Sequence, residues 1–361
     1  MKQTYLQEIH LKNYRNLSEF DVTFSENINI ILGPNGSGKT NILESASLMF
    51  PGRGLRGAKF EDICQIGQDN WHVEATMQSK LGLAEMKCDY NAKSSKRQFS
   101  YNGSNIPNSE LARLTSIIWL TPQMEDLFTT SSSSRRRFFD RLVYNFYPNH
   151  ASLLNQYDYF MKARMQYLQE NNHNVSDYLS NIEQKMTNIA MQIQQNRQDS
   201  IDNLQGHLQD IHLDLPMPKI AIDMVVDGDE FLSIYADKLA KSRQKDKFSG
   251  RTNFGINRLD IEVYNVSKNL PARQCSTGEQ KALLLAILLG QIETVLTLGK
   301  FTPILLLDEV FVHLDNMRAN VVLDYLTNKN MQIIITDTDL VNLDNVKSRA
   351  NIIDIYDTET A

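Results

Sequence analysis

Eight consecutive residues, Gly33-Pro34-Asn35-Gly36-Ser37-Gly38-Lys39-Thr40, fit the spacing G-x-x-x-x-G-K-[ST] of a phosphate-binding loop. Glycines let the backbone wrap a polyphosphate with its N–H groups turned inward. A helix N-terminus directly behind the loop adds partial positive charge. Lys39 is placed to reach the β- and γ-phosphates, and the Thr40 hydroxyl to ligate Mg2+. Asn41 follows on the helix and joins the predicted nucleotide contacts.

A second run, Pro303-Ile304-Leu305-Leu306-Leu307-Asp308-Glu309, buries aliphatics and ends on two acids. Acids at the end of a core strand are costly unless they have chemistry to do. Beside a phosphate loop, Asp308 would support Mg2+, and Glu309 would polarise the attacking water as general base. Another buried strand, Gln332 to Ile335, ends in Thr336-Asp337-Thr338. Ser276-Thr277-Gly278-Glu279-Gln280-Lys281 opens an apolar helix, so Ser276 and Gly278 could offer a hydroxyl and a free N–H to an anion. Taken alone, Ser-x-x-Glu is equally a helix cap. Ligands of open α/β sheets gather at the carboxyl ends of strands, so these polar ends are expected to converge.

The elements that must position them follow from periodicity. Ile28 to Leu32 reads as a buried strand and Asn41 to Phe50 as a helix, the setting the phosphate loop requires. Tyr5 to Leu11 and Phe20 to Phe24 alternate as a hairpin around Asn13-Tyr14-Arg15-Asn16. Trp71 to Met77, Ala84 to Tyr90, Gln98 to Tyr101 and Ile117 to Leu120 read as further strands. At Thr129 the character becomes helical. Ser131 to Ser134 supply an N-cap, and Leu179, Ile182, Met186, Ile189 and Ile193 follow the spacing of a coiled-coil seam. An antiparallel helical arm is the simplest reading; a helical insertion packed on the first lobe is the alternative. Lys219 to Val226 reads as a strand, Asp229 to Lys241 as a helix, and the positively charged stretch Lys241 to Arg251 as a mobile loop. Leu259 to Tyr264 reads as a returning strand.

Composition bounds the rest. At 361 residues, 42% hydrophobic and 22% charged, the chain has ordinary globular composition with room for two domains or lobes. A net charge of −6 leaves any nucleic-acid surface to a local patch. Arg53, Arg56 and Lys59; Lys93, Lys96 and Arg97; Arg135 to Arg137; and Lys241 to Arg251 are the candidates. Cys64, Cys88 and Cys275 carry no C-x-x-C spacing and fit a reducing cytoplasm. The longest uninterrupted apolar run, Ala282 to Leu289, is too short to span a membrane, and no signal peptide is expected.

In this order the motifs resemble the ABC-type ATPase superfamily, and within it a recombination-repair family close to the chromosome-maintenance SMC heads. The resemblance runs through nearly the whole chain. It implies an α/β fold: an ABC-type P-loop ATPase head, built of a mixed β lobe and a RecA-like sheet, with an inserted α-helical lobe or short coiled-coil arm. The implied division is 1–128 for the N-terminal ATPase lobe, 129–255 for the helical lobe, and 256–361 for the C-terminal ATPase part. Thr121 to Leu127 is similar to the family's lobe-joining segment, which makes Gln123 the candidate glutamine on Mg2+ and water. Arg136, Arg137 and Asp140 resemble a family Arg-Arg-x-x-x-Asp. Ser276 to Gln280 resembles the ABC signature, with Thr277 where transporters carry glycine. Leu314-Asp315 is similar to the loop that crosses to the opposite subunit, which adds Asp315 to the implied nucleotide contacts. Thr336 or Asp337 falls where many relatives carry a γ-phosphate-sensing histidine, and Thr336 is the catalytic candidate there. Gly255-Ile256-Asn257-Arg258 resembles a family segment but lacks its Pro and His, so no function is carried over.

The resemblance further implies ATP and Mg2+ as cofactors and slow, DNA-stimulated hydrolysis used as a switch. It implies a cytoplasmic protein that binds DNA at single-strand gaps and junctions, works with RecR and RecO to load RecA recombinase, and forms an ATP-dependent head-to-tail homodimer without a membrane partner. The rival classes are an ATPase subunit of a transporter, an SMC-like structural clamp, and a P-loop enzyme acting on a small molecule.

Overall fold

A computed structural model describes residues 3–79, 82–170, 177–224, 228–298, 302–313, 316–340 and 343–355. The chain divides into two compact units, one of residues 1–124, 212–214 and 291–361, the other of residues 125–211 and 215–290.

The first unit holds two sheets. A five-stranded sheet is formed by β3 (Ile28–Leu32), β8 (Ile117–Leu120), β12 (Ile304–Asp308), β13 (Ile333–Asp337) and β14 (Asn351–Asp354), in the order β14-β3-β13-β12-β8. All its pairings are parallel. Parallel strands covered on both faces carry continuous aliphatic runs. That is why β3, β8, β12 and β13 are buried at every position. The register sets Asp308 opposite Thr336, and Asp337 opposite Leu32, the residue before the phosphate loop. Helix α1 (Lys39–Ser47) packs against β12 and β13.

The second sheet of this unit is antiparallel: β1 (Tyr5–Tyr14), β2 (Leu17–Thr23), β4 (Asn70–Ser79), β5 (Gly82–Asn91), β6 (Lys96–Tyr101) and β7 (Ser104–Ile106), in the order β2-β1-β4-β5-β6-β7. Its alternating sequence puts Leu6, Ile9, Leu11, Trp71, Val73, Met86 and Cys88 inside.

The second unit is mainly helical, with α2 (Ser132–Tyr144), α3 (His150–Glu170), α4 (Asp177–Leu208), α5 (Gly228–Ser249) and the first part of α6 (Thr277–Leu298). Ser131 caps α2, accepting from the Ser134 N–H. The seam residues Leu179, Ile182, Met186, Ile189 and Ile193 are all buried. Their partner is more than a two-helix arm, because α5 packs on both α3 and α4. Phe231, Tyr235 and Leu239 of α5 share one core with Leu153 and Tyr157 of α3 and with Met186 and Ile193 of α4. A small antiparallel sheet, β9 (Pro218–Ile222), β10 (Ile261–Asn265) and β11 (Leu270–Pro271), completes the unit.

Two expectations are corrected. Lys241 to Arg251 is helix as far as Ser249 rather than a mobile loop. Its buried Asp246 accepts from Arg164 Nη1 at 2.7 Å, Ser242 Oγ at 2.6 Å and the Asn253 N–H at 2.8 Å, while Arg243 Nε donates to Glu183 at 3.0 Å. Those anchors outweigh the charge repulsion that suggested a loop, and Gly250, at φ +66°, ends the helix. Beside the expected division at 128 and 255, the two compact units change over after Met124 and after Gly290, so residues 256–290, signature included, pack within the second unit. Finally, α6 is long and apolar enough to cross a membrane by length and composition, with mean hydropathy 1.7, although 72% of that window is buried inside the protein. Counting only the run Ala282 to Leu289 missed this, since Gly290, Gln291 and Thr294 interrupt it without ending the helix.

Candidate active site

The carboxyl edge of the five-stranded sheet brings together the phosphate loop, Asp308, Glu309 and Thr336. β3 leads into Gly33–Gly38, where Gly36 and Gly38 hold φ +87° and +107°. Those values favour glycine strongly. At Gly33 the requirement is space: a Cβ would lie 2.6 Å from Ser37 Oγ and 2.6 Å from Ile355 Cγ1. Pro34, Asn35 and Gly36 are exposed, whereas Lys39 is buried. Lys39 Nζ donates to the carbonyls of Gly33 at 2.7 Å and Pro34 at 3.0 Å, and stands 3.6 Å from Glu309 Oε1.

Two hydroxyls converge on one oxygen of Asp308. Thr40 Oγ1 donates to Asp308 Oδ1 at 2.9 Å, and Thr336 Oγ1 donates to the same atom at 2.8 Å. Burial pushes the Asp308 carboxyl above the usual carboxylate range, and the hydrogen bonds from Thr336 and Thr40 oppose that shift. Thr336 is fully buried, and its side chain is turned to Asp308 and to the Glu309 N–H, which it accepts at 3.2 Å. Its hydroxyl therefore ties the Asp308 carboxylate to the Glu309 backbone. Glu309 has φ +49°, an uncommon conformation for a glutamate, which turns it out of β12 toward Lys39.

Gln123 lies exposed on a short turn, Pro122–Met124, just past β8. Since β8 pairs with β12 at Leu120 and Leu307, Gln123 follows the strand end next to Asp308. Asp315 lies outside the described residues. Ser276 and Gly278 belong to the other unit, where both are exposed at the start of α6. There Glu279 accepts from the Ser276 N–H at 3.0 Å and the Ser276 hydroxyl at 2.9 Å, and pairs with Lys268. Lys268, then Ser276, holds the Glu279 carboxyl down at about 2. A Cβ on Gly278 would meet nothing within 4 Å.

Sequence reading missed Asn16 as part of the site. Asn16 Oδ1 accepts from Asn41 Nδ2 at 2.5 Å, and Asn16 Nδ2 donates to the Gly36 carbonyl at 3.4 Å. Asn41 in turn accepts from Arg56 at 2.8 Å. The β1–β2 turn thereby braces the phosphate loop. Its only sequence signal was a polar turn of no stated purpose.

Much of the basic surface is already engaged. Arg56 binds Asn41, Arg135 binds Asp260 and Arg136 binds the Leu259 carbonyl. Arg97 is stacked between Phe60 and Phe99, 4.4 and 4.3 Å from their centroids. Arg53, Lys96, Arg137, Lys245 and Arg251 are exposed.

The residues fit a polyphosphate and its cation. The loop has no room for a Cβ at Gly33, Lys39 is turned into it, and Ser37 Oγ is buried with no hydrogen-bond partner among the described residues. Thr40 and Asp308 offer adjacent oxygens of the hard type Mg2+ prefers.

A parallel sheet bearing this loop and this acid pair defines a P-loop ATPase head of the ABC type. The RecF/RecN/SMC N-terminal domain model matches residues 5–360, and the chain belongs to that family. It is 44% identical over 359 residues to the DNA replication and repair protein RecF of Rickettsia akari (strain Hartford), covering 98% of this chain and 99% of the relative. It is also 44% identical over 360 residues to the RecF of Rickettsia typhi (strain ATCC VR-144 / Wilmington), with the same coverage. Among solved structures, the recombination mediator protein RecF-ATP in the RecFOR pathway superposes with a TM-score of 0.85 at 22% identity, over 93% of this chain and 92% of that one. An SMC head bound to the C-winged helix domain of ScpA superposes with a TM-score of 0.53 at 16% identity, over 94% and 92%.

Proposed function

We propose that the chain is an ATP-dependent DNA-binding protein of recombinational repair, acting in the cytoplasm at gapped or junction DNA. What carries the reading is the convergence of Lys39, Thr40, Asp308 and Glu309 on one sheet edge, in a chain 44% identical to proteins named for DNA replication and repair. Lys39 would leave the loop carbonyls for the β- and γ-phosphates. Thr40 and Asp308, with Gln123, would hold Mg2+, whose charge neutralises the phosphates. Glu309 would take the proton of the attacking water.

Ser276 and Gly278 would close the phosphate site of a second copy in an ATP-dependent head-to-tail dimer. Two observations support that reading: they are exposed, and Gly278 has open space around it in its own chain. Asp315 is assigned to the same interface. Hydrolysis would be slow, stimulated by DNA and used as a release switch. Cooperation with RecR and RecO in loading RecA completes the reading, supported by the likeness to a recombination mediator protein of the RecFOR pathway.

The test is equilibrium binding to gapped and to blunt duplex, with and without ATP. Tighter binding to gapped DNA in ATP is expected. Equal affinity in all four arms would sink the reading.

A further inference from the structure

We propose that Asp337 holds the attacking water as a second carboxylate beside Glu309, accepting a hydrogen bond from the water's O–H that Glu309 does not deprotonate. The inference rests on the ATPase reading above.

The register places it there. Asp308 pairs with Thr336 across parallel strands, and each acid follows that pair by one residue, Asp337 as the last residue of β13 and Glu309 in the turn that leaves β12. Adjacent strands lie about 4.8 Å apart, so the two acids start from neighbouring points at the end of the sheet. On its other side Asp337 is in register with Leu32, directly before the phosphate loop.

Its hydrogen bonding leaves one oxygen over. Asp337 is 2% exposed. Its Oδ1 accepts from the Thr338 N–H at 2.7 Å and lies 3.5 Å from the Asp339 N–H, which shapes the turn after β13. Its Oδ2 is buried and has no partner among the described residues. A buried carboxylate oxygen without a donor costs free energy, and such groups persist where they serve a function. The charge of Glu309 adds to that cost.

The kind of donor follows from chemistry. An ionised carboxylate has no hydrogen to offer a phosphate oxygen and repels it. It can take the O–H of a water. With one O–H on Glu309 and the other on Asp337, the water's lone pair is aimed away from both acids, toward the phosphate loop. In the step itself the water oxygen bonds to the γ-phosphorus, and the β–γ bridging P–O bond breaks with its electron pair going to ADP. The water's proton passes to Glu309. Asp337 transfers nothing; it fixes the water's orientation.

The test is Asp337→Asn, which keeps an oxygen for the Thr338 N–H and replaces only Oδ2. We expect ATP binding unchanged and kcat down about tenfold or more, the scale of a lost water-positioning contact. Affinity for ADP-beryllium fluoride, a ground-state mimic, should hold. Affinity for ADP-aluminium fluoride with its axial water should fall. The nucleotide-free melting temperature should stay or rise, since an unpartnered charge is removed. If Asp337→Asn lowers the melting temperature, Asp337→Ser, whose hydroxyl can still accept from Thr338, is read the same way. Wild-type kcat and unchanged aluminium-fluoride affinity in the folded variant overturn the proposal. Absence of turnover in the wild type would instead overturn the ATPase reading itself.

Discussion

Thr40 and Asp308 stand 268 positions apart in sequence and 2.9 Å apart in space. The phosphate loop and the acid pair are thus two ends of one device. Thr336, on the strand between, donates to the same Asp308 oxygen.

Lys39→Ala should abolish ATP binding, because no other side chain replaces an ammonium turned into the loop. Glu309→Gln should bind ATP normally and fail to turn it over. Equilibrium nucleotide binding and phosphate release separate the two. Normal hydrolysis by Glu309→Gln would remove the general-base assignment.

Thr336→Val keeps the volume and deletes a donor to a buried carboxylate. Asp308 Oδ1 would keep only Thr40. A loss of about 1–3 kcal/mol in unfolding free energy is expected. The Mg2+ concentration for half-maximal turnover should also shift, because Asp308 loses its orientation. An unchanged Mg2+ dependence would show that Thr336 plays no part in placing Asp308.

Acid should unfold the helical unit through Asp140. Burial alone would raise this carboxyl, but Arg197 and His150 more than offset it and hold it well below the usual range. A depressed folded pKa contributes stability that is complete above the unfolded value of about 3.9 and is lost as pH falls through the folded one. Asp140→Asn leaves Arg197 buried against a neutral partner. It should cost about 3–5 kcal/mol at neutral pH and flatten the loss of stability below pH ~4. Denaturant melts at several pH values would read both effects.

Ser276→Arg should bind ATP, since Lys39 and Thr40 lie in the other unit, yet fail to hydrolyse it. Mixed with Lys39→Ala, it should recover one working site per mixed dimer, an intact loop from one chain and an intact signature from its partner. Titrating one inactive variant into the other, with sedimentation to confirm mixing, reads this directly. A mixture that forms dimers and stays inactive would exclude a shared site.

DNA affinity in ATP should fall linearly on a log–log plot against salt, because phosphate contacts release counterions. The exposed Arg53, Lys96, Arg137, Lys245 and Arg251 are the first residues to neutralise, since Arg56, Arg135 and Arg136 are already bonded within the protein. A slope of zero would rule out a phosphate-dominated interface.

The sequence by itself determined whatever depends on local spacing. Gly33 to Thr40 could be read because backbone wrapping and its glycines are local requirements. The strands before the two acid sites were legible because doubly covered parallel strands need unbroken aliphatic runs. The seam from Leu179 to Ile193 was legible as a buried stripe, since helical periodicity is local too.

Only the tertiary structure decided what each stripe and charge meets. The seam packs α5 as well as α3, and periodicity carries no information about a partner. Lys241 to Ser249 is helix because Asp246 and Arg243 find Arg164 and Glu183 from other helices, contacts of long sequence separation that no local charge pattern reveals. Asn16 braces the phosphate loop because a distant turn is folded against it. Thr336 and Asp337 were interchangeable as letters at a strand end. Strand register gave the hydroxyl to Asp308 and left one Asp337 carboxylate oxygen without a partner among the described residues.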